Sequence, residues 1–343
     1  NGILTIMRIL LPFAAFGILL ATYSGYWLYL SHTLEETISE LRVRWHEAGV
    51  EVKHGELSVG GYPYRIEVTA RDVEAAGQNG SVNWRWRTPI LQATAHPWKL
   101  SHWVAVVETP SDIDFSLTND WSLALMVGRG RISVNVGADA FLERVSFDLR
   151  DLRMQPNVGS DYVDINRAEL HVRRAPMKNP SLDVAVFIKE MAFGQTHSYT
   201  FGNRLQELNA EISLKGPMPV TWSRMALDGW PDAGGVVEVH SLQMLWGNLE
   251  VQVDGTFAID EAYRPIGAAS ATIKGYASLL AALRMEGIVS EPAAFAAGLA
   301  LDLLAKPAPD DGRGLLRVPI TLQDGHLHVG PVPLMPLGPV IDP

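Results

Sequence analysis

Between Val50 and about Gly216, one run after another places an apolar residue at every second position, and that spacing most limits how the chain can fold. Side chains along a strand point to opposite faces in turn. In "GELSVGGYPYRIEVTARDVE", residues 55–74, Tyr64, Ile66, Val68 and Ala70 fall on one side, and Arg65, Glu67, Thr69 and Arg71 on the other. The same reading sets Val82, Trp84 and Trp86 against Asn83, Arg85 and Arg87, and Ile113, Phe115 and Leu117 against Asp114 and Ser116. It also groups Ile132, Val134 and Val136; Val145, Phe147 and Leu149; and Leu208, Ala210, Ile212 and Leu214. Each run has one apolar and one wet face, and the links are too short for crossover helices, so antiparallel pairing is expected. Turn residues punctuate the runs at Gly77 to Gly80, Ser111-Asp112, Thr118 to Asp120, Gly128 to Gly130 and Pro156 to Asp161. No fixed period marks a sequence repeat.

The front of the chain obeys a different rule. From Ile9 through Leu20 to Leu30 there are 22 residues without a formal charge, enough at about 1.5 Å per residue to span the roughly 30 Å hydrocarbon core of a bilayer. Tyr23, Tyr26, Trp27 and Tyr29 crowd its far end, where amphipathic rings favour the headgroup region. Arg8 precedes the stretch and Glu35 and Glu36 come after it, so the positive-inside tendency puts the N-terminus in the cytoplasm and the bulk of the chain outside. Asn1 as first residue leads us to expect further residues upstream. A cleaved signal peptide is the competing reading; the long apolar stretch and the want of a small-x-small cleavage site before the aromatics argue against it. Beyond the span, Leu34, Ile38, Leu41, Trp45 and Ala48 recur at helical steps up to Gly49, predicting an amphipathic helix that docks on the next domain or on a partner.

After Gly216 the texture changes. A short helix is expected over 219–229, then two long strands in "GGVVEVHSLQMLWGNLEVQVDGTFAID". Two helices come next, "YASLLAALRMEG" and "EPAAFAAGLALDLLAK", the second with Pro292 in its first turn. The loop 307–314 precedes "GLLRVPITLQDGHLHVGPVPL", a hairpin turning at Asp324-Gly325. The expected divisions are an anchor over 1–31, a juxtamembrane helix over 32–49, an antiparallel β domain over 50–216 and an α+β continuation over 217–343.

"WGNLEVQVDGTFAIDEAYRPIGAASATIKG", the two alanine-rich helices and "VPITLQDGHLHVGPVPL" resemble the C-terminal half of a poorly characterised family of alphaproteobacterial envelope proteins. Members combine one N-terminal anchor with a β-rich outer domain, and "GELSVGGYPYRIEVTARDV" is similar to that family's corner-and-strand motif. More loosely, both regions resemble AsmA-like and TamB-like envelope proteins. That resemblance implies a curled antiparallel sheet whose apolar inner face shelters or conducts lipid acyl chains, although this chain is too short to bridge a periplasm. The fold class expected is therefore α+β, mostly β: a transmembrane helix, then a long curled antiparallel sheet, groove or sandwich, with a few helices at the C-terminal end.

Chemistry is sparse. With no cysteine, disulfides, thiolate zinc sites and thiol catalysis are excluded. A net charge of -10 without a basic run excludes nucleic acid as a partner. Neither a G-x-S-x-G elbow nor a phosphate-binding glycine loop occurs. His326 and His328 share a strand face but lack a third ligand nearby in sequence, so no metal or cofactor is expected. Asp112 with Asp114, Glu35 with Glu36, and Asp310 with Asp311 read as solvated surface. Trp84, Trp86, Trp98 and Trp103 could stack sugars or nucleotides, but the alternation favours Trp84 and Trp86 in the core. Two functions remain. One is a non-enzymatic envelope protein of the bacterial inner membrane, bulk in the periplasm, with membrane lipids on an apolar groove formed by Tyr64, Ile66, Val68, Val82, Trp84, Ile132, Val134 and Phe147. The other is a non-catalytic assembly subunit of a membrane protein complex.

Overall fold

The computed structural model describes residues 2–117, 121–137, 142–156, 161–174, 181–194, 199–216, 229–230, 233–307, 314–330 and 332–340. The chain is mostly β, the strand pairings among the described residues are antiparallel, and it divides into two compact units, Asn1–Val136 and Gly137–Pro343. The change of texture near Gly216 falls inside the second unit. The helix expected over 219–229, apart from its last residue Gly229, and the turns at 118–120 and 157–160 lie outside the described residues.

The first unit opens with α1 (Gly2–Glu47), one continuous helix that takes in both the apolar span and the amphipathic segment after it. Leu34, Ile38 and Leu41 are half-buried and α1 packs on β1 (Val50–Lys53) and β2 (Leu57–Gly60), whereas Trp45 is exposed. Both short strands pair with β3 (Ile66–Asn79), which pairs with β4 (Val82–His96). β4 then carries β5 (Lys99–Val107) along one half and β6 (Ser111–Leu117) along the other, and both pair with β7 (Ser122–Val136).

Alternation alone cannot hold one apolar face over strands this long. In β3 the buried positions are Ile66 and Ala70, then Val73 and Ala75: the phase slips by one at Asp72, which adopts φ 49°. The register omits Asp72 and, opposite it, Pro89, so β4 changes from Leu91, Ala93 and Ala95 to Trp86 and Trp84 at the same level. The same level separates β1 from β2, separates β5 from β6, and falls in β7 at Gly128 and Arg129, between its β6-paired and β5-paired stretches. This corrects one expectation: Gly128 to Gly130 are strand, inside β7, and their turn-forming composition marks this phase slip and not the end of a strand. Ser111 opens β6 just past the gap after Val107, so a break between strands does stand at its turn signal. Gly77 is likewise strand. A Cβ there would meet the Trp84 ring at 2.8 Å, so glycine lets the indole lie across β3.

The second unit is a meander: β8 (Leu142–Pro156), β9 (Val163–Arg174), β10 (Ser181–Phe193), β11 (Arg204–Lys215), β12 (Val236–Trp246), β13 (Leu249–Ile259) and β14 (Pro265–Lys274). α2 (Tyr276–Met285) and α3 (Glu291–Leu304) come next, then β15 (Lys306–Pro307), β16 (Gly314–Gln323), β17 (His326–Val329) and β18 (Val332–Pro336). β14 and β15 both pair with β16, and Asp324 and Gly325 turn the next hairpin with φ 54° and 70°, as a type I′ turn requires. α2 packs on β13, and α3 on β16 and β18. They seal a core of Leu249, Ala271, Ile273, Leu301, Leu316, Val318 and Val329. A phase slip crosses this sheet too, at Asp151 (φ 52°) in β8, Asn166 in β9, Glu190 (φ 53°) in β10 and Gln206 in β11.

Only glycine enters the left-handed region freely, Asp tolerates it, and a β-branched residue does not. Asp72→Gly is therefore expected to leave stability nearly unchanged, while Asp72→Val costs about 1–2 kcal/mol, as read from the two denaturant midpoints at constant slope.

Candidate functional site

The matched slips keep apolar residues in rows that run across the strands. In the first unit one row is Val59, Val68, Ala93, Ala105 and Ile132, and the next is Ile66, Ala95, Trp103 and Val134. Beyond the slip run Gly77, Trp84, Phe115 and Leu123, and then Asn79, Val82 and Leu117. Register therefore brings Ile66, Val68, Val82, Trp84, Ile132 and Val134 together on one face. Ile66 is fully buried and the others half-buried. Trp86 donates its indole N–H to the buried Ser111 hydroxyl at 2.9 Å, which satisfies a polar group on this face.

Tyr64 is not on this face. β3 begins at Ile66, the Arg65 amide donates to the Gly61 carbonyl at 3.1 Å, and the turn so closed leaves Tyr64 76% exposed. Its alternation with Ile66 in sequence is coincidental, because period two holds only where the backbone is extended. Phe147 lies in β8 of the second unit, within rows of its own: Val145, Val172, Val184, Ile212 and Val239; Phe147, Leu170, Val186, Ala210, Leu242 and Val253; Leu149, Ala168, Ile188, Leu208, Met244 and Val251. Past the slip come Leu152, Ile165, Met191, Leu205 and Trp246. Among the described residues, α2 and α3 make their closest approaches to β13, β16 and β18 and not to β8 to β11. Most apolar side chains of β8 to β11 stay half-buried.

The opposite face is charged and internally paired. Arg153 grips Asp164 with two N–H donors at 2.8 and 3.1 Å, Arg167 holds Asp148 at 3.1 and 3.2 Å, and Arg173 reaches Asp183 at 3.0 Å. Pairs this open to water add little stability, so their main effect is to keep this face wet and the register single. Between Arg144, Arg173, Asp183, Ser213 and His240 lies an open depression of about 400 Å³. There the Ser213 hydroxyl donates to Asp183 at 2.7 Å and lies 2.8 Å from His240 Nε2. The trio is thus one continuous hydrogen-bonded chain from Asp183 through Ser213 to His240. The Ser213 hydrogen bond, helped by Arg173, holds the Asp183 carboxyl below its ordinary range against the opposing effect of burial. His326 and His328 sit on β17 with ring centres 6.3 Å apart, and among the described residues no three His, Asp or Glu side chains converge as a metal site would need.

A family described as "uncharacterized protein conserved in bacteria (DUF2125)" matches residues 27–338. The chain belongs to that family. The matched stretch begins at Trp27, the one buried apolar residue of α1 among those described, and ends just past β18, so it takes in the sheets of both units. No curated protein matches the sequence.

A carboxylate whose pKa is lower folded than unfolded stabilises the fold above its unfolded pKa, and that contribution drains away as pH falls through the folded value. Asp183→Asn removes it. Thermal melts should show the variant less stable than the parent near neutrality, with the gap closing on acidification below the ordinary carboxylate range; a gap constant with pH would contradict the assignment.

Proposed function

We propose that the protein is a non-enzymatic, single-pass protein of the bacterial inner membrane whose periplasmic β sheets hold lipid acyl chains against their apolar faces. The observation that carries this reading is the set of apolar rows on β8 to β11, over which the two described helices of that unit do not extend. Each acyl methylene withdrawn from water there would contribute about 0.8 kcal/mol, and lipid is the abundant apolar ligand near a membrane. One helix of the chain is long and apolar enough to cross a bilayer, which supports the anchor. Arg8 before the span and Glu35 and Glu36 after it support an outward-facing bulk. The looser resemblance to AsmA-like and TamB-like proteins agrees with such a role.

One observation favours the second reading, a non-catalytic subunit of a membrane complex. Phe295, Leu299 and Leu303 line up at four-residue steps on α3 and are all exposed, as a helix face awaiting a partner would be.

Native mass spectrometry of the mildly extracted full chain separates the two. Co-purified phospholipid is expected on the parent and is lost on Val134→Asp and Val184→Asp, both half-buried positions where the sheet can stay folded by circular dichroism. Lipid retained at parental levels by both folded variants, or a lipid-free parent that carries a stoichiometric membrane subunit, would overturn lipid holding in favour of the assembly role.

A further inference from the structure

We propose that the turns Gly61–Arg65 and His96–Leu100 of the first unit form a seat in the headgroup layer of the bilayer that α1 crosses, an inference that rests on the anchor reading above. Side chains of one short stretch of α1 hold both turns. The Tyr23 hydroxyl donates to the Pro63 carbonyl, Tyr26 to the Pro97 carbonyl at 2.9 Å, and the Trp27 indole to the Arg65 carbonyl at 3.1 Å. Ser24 and Tyr62 share a hydrogen bond of 2.8 Å, and the Trp27 and Tyr62 rings meet edge to face at 5.6 Å. A helix rises about 1.5 Å per residue, so Tyr23 to Trp27 covers only about 6 Å of depth, and the turns are fixed at that depth.

That depth is the membrane boundary. About 20 residues of helix cross a hydrocarbon core, and counted from Ile9, the first residue after Arg8, the crossing is complete near Leu28. The turns therefore grip α1 within its last two turns of apolar path. Their tips present the groups this layer takes up: Tyr64 is 76% and Trp98 65% exposed, Tyr62 is also exposed, and Lys99 stands beside Trp98 as a cation for lipid phosphates. Amphipathic rings are favoured where hydrocarbon gives way to headgroups. The carbonyls of Pro63, Arg65 and Pro97 take their hydrogen bonds from α1, which fixes the turns to the helix. Below the turns, Ala15, Ile18, Leu19, Thr22, Tyr23 and Tyr26 share one open, largely apolar face of α1.

The seat has a consequence for the sheet. Ile66 and Ala95, paired at the root of β3 and β4, adjoin these turns directly. The apolar face of the first unit then starts at the bilayer surface, and a chain leaving the membrane meets it without first crossing water.

The absence of cysteine makes the test direct. Single variants Leu19→Cys, Tyr64→Cys, Trp98→Cys and Gln78→Cys of the full chain are labelled with a polarity-sensitive fluorophore. They are reconstituted into vesicles of phosphatidylethanolamine and phosphatidylglycerol, with and without bromine on the acyl chains. Gln78 lies at the far end of β3, about 40 Å from the turns by strand rise. Labels at Leu19, Tyr64 and Trp98 are expected to emit to the blue and to lose intensity in brominated lipid, while that at Gln78 does neither. Quenching at Leu19 alone would leave the anchor standing and overturn the seat. No quenching at Leu19 would remove the anchor and the seat with it.

Discussion

A strand can keep one side chain in two on a given face only while its backbone stays extended, and the structure depends on how it handles the places where that condition breaks. An αL residue inside a strand moves the buried positions by one, from Ala70 to Val73 in β3 and from Leu149 to Leu152 in β8. If a neighbouring strand kept its phase, apolar side chains would face water beyond that point and polar ones would be buried. Instead each neighbour slips at the same level, through Pro89 in β4, Asn166 in β9 and Glu190 in β10. One apolar face therefore persists along strands of 12 to 15 residues.

With the phases matched, the two faces of the sheet take different tasks. The wet side of β8 to β10 consists of Arg–carboxylate pairs that exclude alternative registers more than they add stability. The dry side carries the hydrophobic gain, and among the described residues α2 and α3 close it where they meet β13, β16 and β18 around the fully buried Leu316 and Leu249. Toward β8 the same rows continue as half-buried valine, leucine and phenylalanine. The proposed lipid function grows from this gradient of closure along the strands of the second unit, while the Asp183, Ser213 and His240 group lies hydrogen-bonded on the far face.

Much of this is legible in the sequence because alternation is local. β4, β6, β11, β12 and β13 and the Asp324-Gly325 hairpin stand where their patterns place them. β10 is harder to read: Leu182, Val184, Val186 and Ile188 alternate, but Ala185 and Phe187 blur the polar parity, and the slip at Glu190 cuts the run short. β9 is broken by Asn166 in the same way. At Gly128 to Gly130, glycine composition reads like a turn although both sides of it are one strand. Tyr64 reads like strand although it belongs to the turn held by Gly61.

By itself, the sequence determined a long apolar helix, a wealth of antiparallel strands with one greasy and one charged face, and the want of thiol or basic-patch chemistry. These come from residue spacing and composition, which need no knowledge of neighbours. Tertiary structure alone decided which strands lie side by side, at what level their phases slip together, and that Tyr23, Tyr26 and Trp27 hold the Pro63 and Pro97 turns. Those contacts join residues some 40 to 70 positions apart, and nothing in the local pattern of either partner specifies the other; only the close packing of the folded chain selects the pair.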